Sequence, residues 1–410
     1  MKRTSTVIIG AGQSGLAMSC ALSNRSIDHV ILERGQIANS WRTERWDSLR
    51  LLSPNWANGL PGYGYRGTDP NGFMGVSELV DSFDQCASHI NAPVRTETNV
   101  VSVDSHGAGY KVQTDQGAYS CESVVLANGA CGQSKVPDFA KAFPSDVRHF
   151  TPHTYKRPAD LAVSKVLVVG ASASGLQLAR EIQLSGRQVI LAVGNHLRLP
   201  RSYRGVDTYA WMERLGLTSI PYTDVDDIER VRRTPSLPLV ANETLDLNTL
   251  QDIGVEIAGR LAGFRNGTAY FSGGLSNLCT VADLKLNRLL DEIDNWAMKT
   301  MRGQFLTSSV RFSPTRVSSD PRLQVNLRSE GVGAVIWATG YSPDFSWLNL
   351  PVFGRKGRIE HDGGVVAPGL YVMGLPYLRR RKSTFINGAE CDAAALSKHL
   401  VAGLDRRSAA

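Results

Sequence analysis

Two glycine-punctuated turns, each following an apolar run and leading into a helix-compatible segment, constrain this chain more than any other feature. The first is VIIGAGQSGL, with Gly10, Gly12 and Gly15; the second is VLVVGASASGL, with Gly170, Ser172 and Gly175. The mostly β-branched runs at 7–9 and 166–169 predict buried parallel strands. The glycines let the chain turn tightly into a helix whose free amides face a pyrophosphate. Gln13 and Ser14 in the first loop, and Ala173 and Ser174 in the second, would line that cradle. Ser172 replaces the middle glycine of the second loop, and serine is small enough to leave the approach open. One such motif would be weak evidence. Two, each in strand, loop and helix context, predict an α/β chain of two Rossmann-like dinucleotide-binding domains that passes electrons between two nucleotide cofactors.

The residues beyond each loop distinguish the cofactors. After the first, HVILERG reads as a second parallel strand ending in Glu33, 23 positions past Gly10, with Arg34 beside it. An acid at that spacing accepts hydrogen bonds from an adenosine ribose; the alternative is a solvent-facing carboxylate at a strand end. After the second, QVILAVG ends without an acid and is followed by Asn195, His196, Arg198 and Arg201. An acid would repel a ribose phosphate, whereas these four residues would welcome one. The expectation is FAD at the first site and NADPH, in preference to NADH, at the second.

The 410 residues carry 42% hydrophobic and 20% charged side chains, enough for a sizeable core in two α/β domains. The net charge of +7 is spread along the chain among carboxylates, so anionic cofactors account for it without nucleic acid. The one dense basic run, Arg379, Arg380, Arg381 and Lys382, reads as a solvated face, with an anion or partner contact as the alternative. The basic, apolar N-terminus is interrupted by the first loop and is not read as an export signal, and no stretch approaches membrane-helix length. Six scattered cysteines without a CxxC pair predict reduced thiols, as in the cytoplasm.

Alternating residues at 110–127 predict a β-meander feeding the last strand of the first domain, which ends at Asn128 and Gly129. A similar strand, AVIWATGYSP, ends at Thr339 and Gly340 and is read as the return to the first domain. The second domain is therefore predicted as an insertion over 158–327, with 1–157 and 328–410 forming the FAD domain. Residues 280–299 have helical apolar spacing and predict a core-packed amphipathic helix, whereas 208–274 give no clear periodicity. The C-terminal part reads as one strand and one helix, whose N-terminus at Gly388 and Ala389 is suited to face the electron-rich end of a reduced flavin.

The order of first fingerprint, WRTERWDSLRLLSPNW, second fingerprint and ATGYSP resembles the flavin-containing monooxygenase-like flavoproteins, the class B flavoprotein monooxygenases and their bacterial relatives, over nearly the whole chain. The resemblance implies that Trp41 and Arg42 lie along FAD, with Leu52 or Ser53 near the ring; by sequence alone Trp41 and Trp46 serve equally as core aromatics. It also implies that Asn55 steadies oxygenated flavin, the competing reading being a turn residue after Pro54. Three departures limit the transfer: Thr151 stands at the family's inter-domain histidine position between His149 and His153, Ser172 replaces a glycine, and Asn128 stands where relatives have threonine. Pro152 argues against His149 and His153 forming a helical metal pair.

The implied chemistry is reduction of FAD by NADPH, then insertion of one oxygen atom from O2 into a small organic substrate through a flavin 4a-(hydro)peroxide. Such a site needs dryness more than an acid–base triad. The rivals are an FAD-dependent NADPH dehydrogenase or oxidase without oxygen insertion, and a non-catalytic nucleotide sensor. The class is compatible with homodimerisation, although no sequence signal requires it. The substrate is not legible, because fold does not specify it.

Overall fold

The computed structural model describes residues 1–232, 237–238, 241, 243–300 and 307–408. The first apolar run ends the strand Lys2–Ile9, which lies between His29–Leu32 and Gly117–Leu126, parallel to both. At its buried end, Val7 to Ile9, the strand has a neighbour on each edge and a covered surface on each face, hence a continuous apolar run and not an alternation. Val94–Arg95 extends the sheet past His29–Leu32, and Leu370–Val372 extends it past Gly117–Leu126. The meander is present: Val100–His106, Gly109–Thr114 and Gly117–Leu126 pair antiparallel in succession. Helix Gln13–Ser23 packs against the C-terminal helix Ala389–Ser408, so the chain's end completes the first domain.

The second sheet is wholly parallel and runs, in spatial order, Arg148–Phe150, Val332–Trp337, Lys165–Val169, Gln188–Ala192 and Glu256–Ala258. This corrects the expected boundaries. The strand within AVIWATGYSP does not return the chain to the first sheet; it pairs with the second cradle strand, Ala334 with Val166 and Trp337 with Val169. Arg148–Phe150 pairs beside it, so the second domain's sheet reaches outside 158–327 at both ends. The two domains are joined by a ribbon in which Gln133–Ser134 of the outgoing chain pairs antiparallel with Tyr341–Ser342 of the returning chain.

The long helix expected at 280–299 spans Leu275–Thr300. Its inner positions Leu286, Leu290, Ile293 and Ala297 pack on Tyr203 and Trp211. Within 208–274, where sequence periodicity is ambiguous, the structure has helices Thr208–Arg214, Ile228–Arg232 and Leu247–Asp252, then strands Glu256–Ala258, Leu261–Arg265 and Thr268–Phe271. Residues 233–236, 239–240 and 242 lie outside the described residues.

The basic run is a strap and not a solvated face. Arg379 donates to Gly363 O (2.8 Å), Arg381 donates to Leu217 O (3.2 Å), and Lys382 sits 3.7 Å from Glu213. Its backbone also accepts from Tyr222 N and donates to Thr218 O, fastening 213–222 to the C-terminal segment. Among the described residues no helix is long and apolar enough to cross a membrane.

Candidate functional site

Both loops are built by the same close approaches. Gly10 has φ +104°, and a Cβ there would stand 2.7 Å from Ala127 O; Gly170 has φ +110°, and a Cβ would stand 2.4 Å from Ala338 O. At the third position the helix presses on the strand end: a Cβ on Gly15 would lie 1.9 Å from Gly10 O, and one on Gly175 1.8 Å from Gly170 O. No side chain fits any of these four positions. The middle position is different. Gly12 (φ −87°, ψ −167°) and Ser172 (φ −88°, ψ −178°) are both extended, and a Cβ on Gly12 meets nothing within 4 Å. Serine at 172 therefore costs no backbone strain, and Gly12 leaves room where a diphosphate must come close.

The two cradles open on one continuous cleft of about 1040 Å³. Gly10, Gly12, Gln13, Ser14, Glu33, Arg34 and Trp41 line one end, Gly170, Ser172, Gly194, Asn195 and Arg260 the other, and Gly129, Thr339, Gly340 and Tyr341 lie on it from the strand ends and the hinge. Ala173, Ser174, Gly175 and Gly15 stand behind this lining. Glu33 is only 7% exposed. Its carboxylate accepts from Ala11 N at 2.8 Å and Gly35 N at 3.3 Å, and burial pushes the group above its ordinary range. A ribose diol is a donor pair that such a fixed, poorly hydrated carboxylate accepts well, so the first cradle fits an adenosine dinucleotide.

The hinge forms the wall between the cradles. Asn128 Nδ2 donates to Asp344 O at 2.8 Å, tying the end of the first closing strand to the chain returning from the second. Thr339 occupies the matching place and its hydroxyl bonds Lys135 O. His153 stacks on Tyr341 (ring centroids 4.8 Å, 25° between planes), whose hydroxyl meets Ser174 and is pushed up in pKa by burial. His149 instead accepts from Trp337 Nε1 at 3.2 Å, so the two histidines serve separate contacts. Burial also raises the Cys131 thiol, which keeps it protonated and poorly nucleophilic.

Several residues expected at the cofactors lie elsewhere. Arg198, 7% exposed, is held by Asp246 and Asp283 at 2.7 and 2.8 Å. Arg201, 5% exposed, pairs with Asp207 at 2.6 Å, donates to Leu52 O and lies 4.6 Å over the Phe73 ring. Both are neutralised inside the protein and neither lines the cleft. Arg42 donates to Ile37 O and pairs with Asp84, which bridges two helices and leaves only its neighbour Trp41 on the cleft. Ser53 bonds Asn58, and Leu52 packs with Leu199 and Tyr209.

Asn55 is the clearest change of role. Its Nδ2 donates to Asp69 O at 2.9 Å and its Oδ1 accepts from Met74 N at 2.7 Å, so this side chain, 4% exposed, pins the loop 69–74. Gly388 lies against the strap, where a Cβ would stand 1.7 Å from Lys382 O, and serves close packing at the start of the C-terminal helix.

Sequence reasoning missed Arg260, which belongs to no glycine motif, and Tyr341, which follows Gly340 in ATGYSP without a spacing signal of its own. The strand register makes both visible, because each lies just past the end of a strand of the second sheet.

Comparison with known proteins agrees with this geometry. The pattern of the pyridine nucleotide-disulphide oxidoreductase family matches residues 7–207. An uncharacterized CzcO-like oxidoreductase of Geobacillus kaustophilus is 29% identical over 94% of this chain and 95% of its own. The probable indole-3-pyruvate monooxygenase YUCCA4 of Arabidopsis thaliana is 26% identical over 73% of this chain and 72% of its own. A flavin-containing monooxygenase of Stenotrophomonas maltophilia shares the fold, with a TM-score of 0.66 at 19% identity over 98% of this chain and 99% of its own. By these near full-length likenesses the chain is similar to flavin-containing monooxygenase-like proteins, with which it shares the fold.

Proposed function

We propose that this protein is an FAD-dependent monooxygenase that takes electrons from NADPH and inserts one atom of O2 into a small organic substrate. The observation that carries the reading is a single cleft joining a cradle with a buried ribose acid, Glu33, to a second cradle whose matching position, Val193, has none. The relatives that carry the name monooxygenase support the oxygenase part. Held by Glu33 and the amides after Gly12, FAD would supply hydride acceptance and oxygen activation at carbon 4a.

The chain's own residues supply placement and dryness. The amides that begin helix Ala173–Leu184 would bind the NADPH pyrophosphate, and the Tyr341, His153 and Ser174 cluster would keep the two nucleotides in register across the hinge. The strap fastens 213–222 to the C-terminal segment, and Arg201 ties the inserted segment to Leu52 O and the Phe73 ring, contacts that would restrict water entry. Reduced cysteines and the absence of a membrane-length helix among the described residues suit a cytoplasmic setting.

One observation favours the second reading, an NADPH dehydrogenase or oxidase without oxygen insertion. Asn55, the side chain expected to steady oxygenated flavin, is committed to Asp69 and Met74. Turnover of the flavin-loaded protein with NADPH and labelled O2, across a panel of amine, sulfide and ketone substrates, separates the two. Label in product together with substrate-stimulated NADPH oxidation supports the monooxygenase; complete recovery of the NADPH equivalents as hydrogen peroxide with every substrate overturns it.

A further inference from the structure

The second cradle was expected to recognise a ribose phosphate with Arg198 and Arg201 among its residues, yet both are themselves buried and paired with carboxylates away from the cleft. The position of the ribose pocket follows from equivalence of the two units. In the first, Gly10 N donates to Leu32 O and Glu33 N donates to Arg95 O, at 2.8 and 2.9 Å. In the second, Gly170 N donates to Ala192 O and Val193 N donates to Ala258 O, both at 2.9 Å. Val193 therefore stands in the backbone place of Glu33, and Gly194 and Asn195 follow it into the cleft.

The neighbouring strand brings one cation to this place. Ala192 pairs with Ala258, so residues two past each partner, Gly194 and Arg260, come side by side. A Cβ on Gly194 would meet Arg260 Nε at 3.7 Å, and Arg260 Nη2 donates to Asn195 Oδ1 at 2.9 Å. The guanidinium thus lies over the turn that ends the ribose strand. Its backbone is fixed: Ser272 N donates to Arg260 O at 2.8 Å, and Gly259 lets the chains close, since a Cβ there would stand 2.0 Å from Ser272 O. Among the described residues Arg260 has no carboxylate partner, and it lines the cleft. The corresponding place in the first unit, two past Arg95, is Glu97, so the charge at this corner reverses between the cradles.

We infer that Arg260, oriented by Asn195, binds the 2′-phosphate of the adenosine ribose and sets the preference for NADPH over NADH. The inference rests on the reading of the second cradle as the NADPH site. A phosphomonoester is a dianion near neutral pH, and an exposed guanidinium with free donors can meet two of its oxygens at once. The amide of Asn195 holds one edge of the guanidinium and leaves its remaining donors toward the cleft.

The experiment is calorimetric titration of the flavin-loaded protein with adenosine 2′,5′-bisphosphate and with 5′-AMP, then with NADP+ and NAD+, for wild type, Arg260→Gln and Arg260→Lys. Wild type should bind the bisphosphate at least about tenfold more tightly than AMP. Arg260→Gln should abolish that difference while AMP and NAD+ affinities stay within about twofold; Arg260→Lys should keep part of it, and flavin content should not change. The inference is overturned if wild type shows no preference for the 2′-phosphate, or if Arg260→Gln keeps the preference or weakens AMP and bisphosphate equally. Failure of the flavin-loaded wild type to bind any of the four nucleotides overturns both the inference and the NADPH reading on which it rests.

Discussion

In both nucleotide units a glycine with positive φ abuts the carbonyl closing the neighbouring strand, Ala127 in one and Ala338 in the other, and a second glycine lets a helix rest on the first. At the ribose end the units part: Glu33 in a pocket at the end of His29–Leu32, against Val193 with Arg260 leaning in from the next strand. The loop geometry answers a diphosphate, which both cofactors carry. The ribose corner answers what differs between them, a free diol or a phosphate, and so one chain can keep two similar nucleotides in separate places.

The largest effect should come from a residue that this comparison removes from the cofactor. Arg198→Met leaves Asp246 and Asp283 as uncompensated carboxylates and should cost about 3–5 kcal/mol in denaturant unfolding. Any folded variant should keep the wild-type ratio of NADP+ to NAD+ affinity; a selective loss of NADP+ binding would return Arg198 to the phosphate.

Alanine at the third glycine tests the shared part. Gly15→Ala and Gly175→Ala each force a helix off its strand, at a cost of about 1–3 kcal/mol or more. The first should weaken retention of FAD by tenfold or more, on the order of that cost, with NADP+ binding far less affected. The second should do the reverse. Equal loss of both nucleotides from either variant would mean that the cradles do not act as separate sites.

Glu33→Gln gives a smaller, pH-dependent effect. Burial raises the Glu33 carboxyl in the flavin-free fold, so between its ordinary and its raised pKa the folded state binds more protons than the unfolded state. Stability of the flavin-free protein therefore falls as pH rises through that window and stays lower above it. The flavin-free variant should melt about 1–2 °C above flavin-free wild type at neutral pH, with no difference below the ordinary carboxylate range. Its FAD affinity at neutral pH should fall about tenfold, the worth of a charge-assisted hydrogen bond. A pH-independent difference in melting would show that Glu33 is not buried as described.

What could be read from sequence was whatever is encoded locally. The cradle glycines and Glu33 obey spacings set within one strand, loop and helix, and the meander and the long helix show their periodicity directly. Arg198 and Arg201 misled because their partners, at 207, 246 and 283, meet them only in the folded chain. Arg260 was hidden for the same reason: 65 positions separate it from Asn195, and only the register of Ala192 with Ala258 brings them together. The domain boundary shifted because the strands before Asn128 and Thr339 close equivalent units, and local sequence shows a closing strand without showing its sheet. Asn55 follows Pro54 as a turn residue does, but the backbone groups that occupy its amide lie 14 and 19 residues away.

The most direct test of two unlike nucleotides sharing one cleft is anaerobic titration of the purified, flavin-loaded protein with NADPH, following the visible absorption of the flavin. Stoichiometric bleaching that reverses when air is admitted is the predicted result. A protein that takes up no FAD when supplied with it, or that holds FAD and shows no bleaching with excess NADPH, would contradict the account.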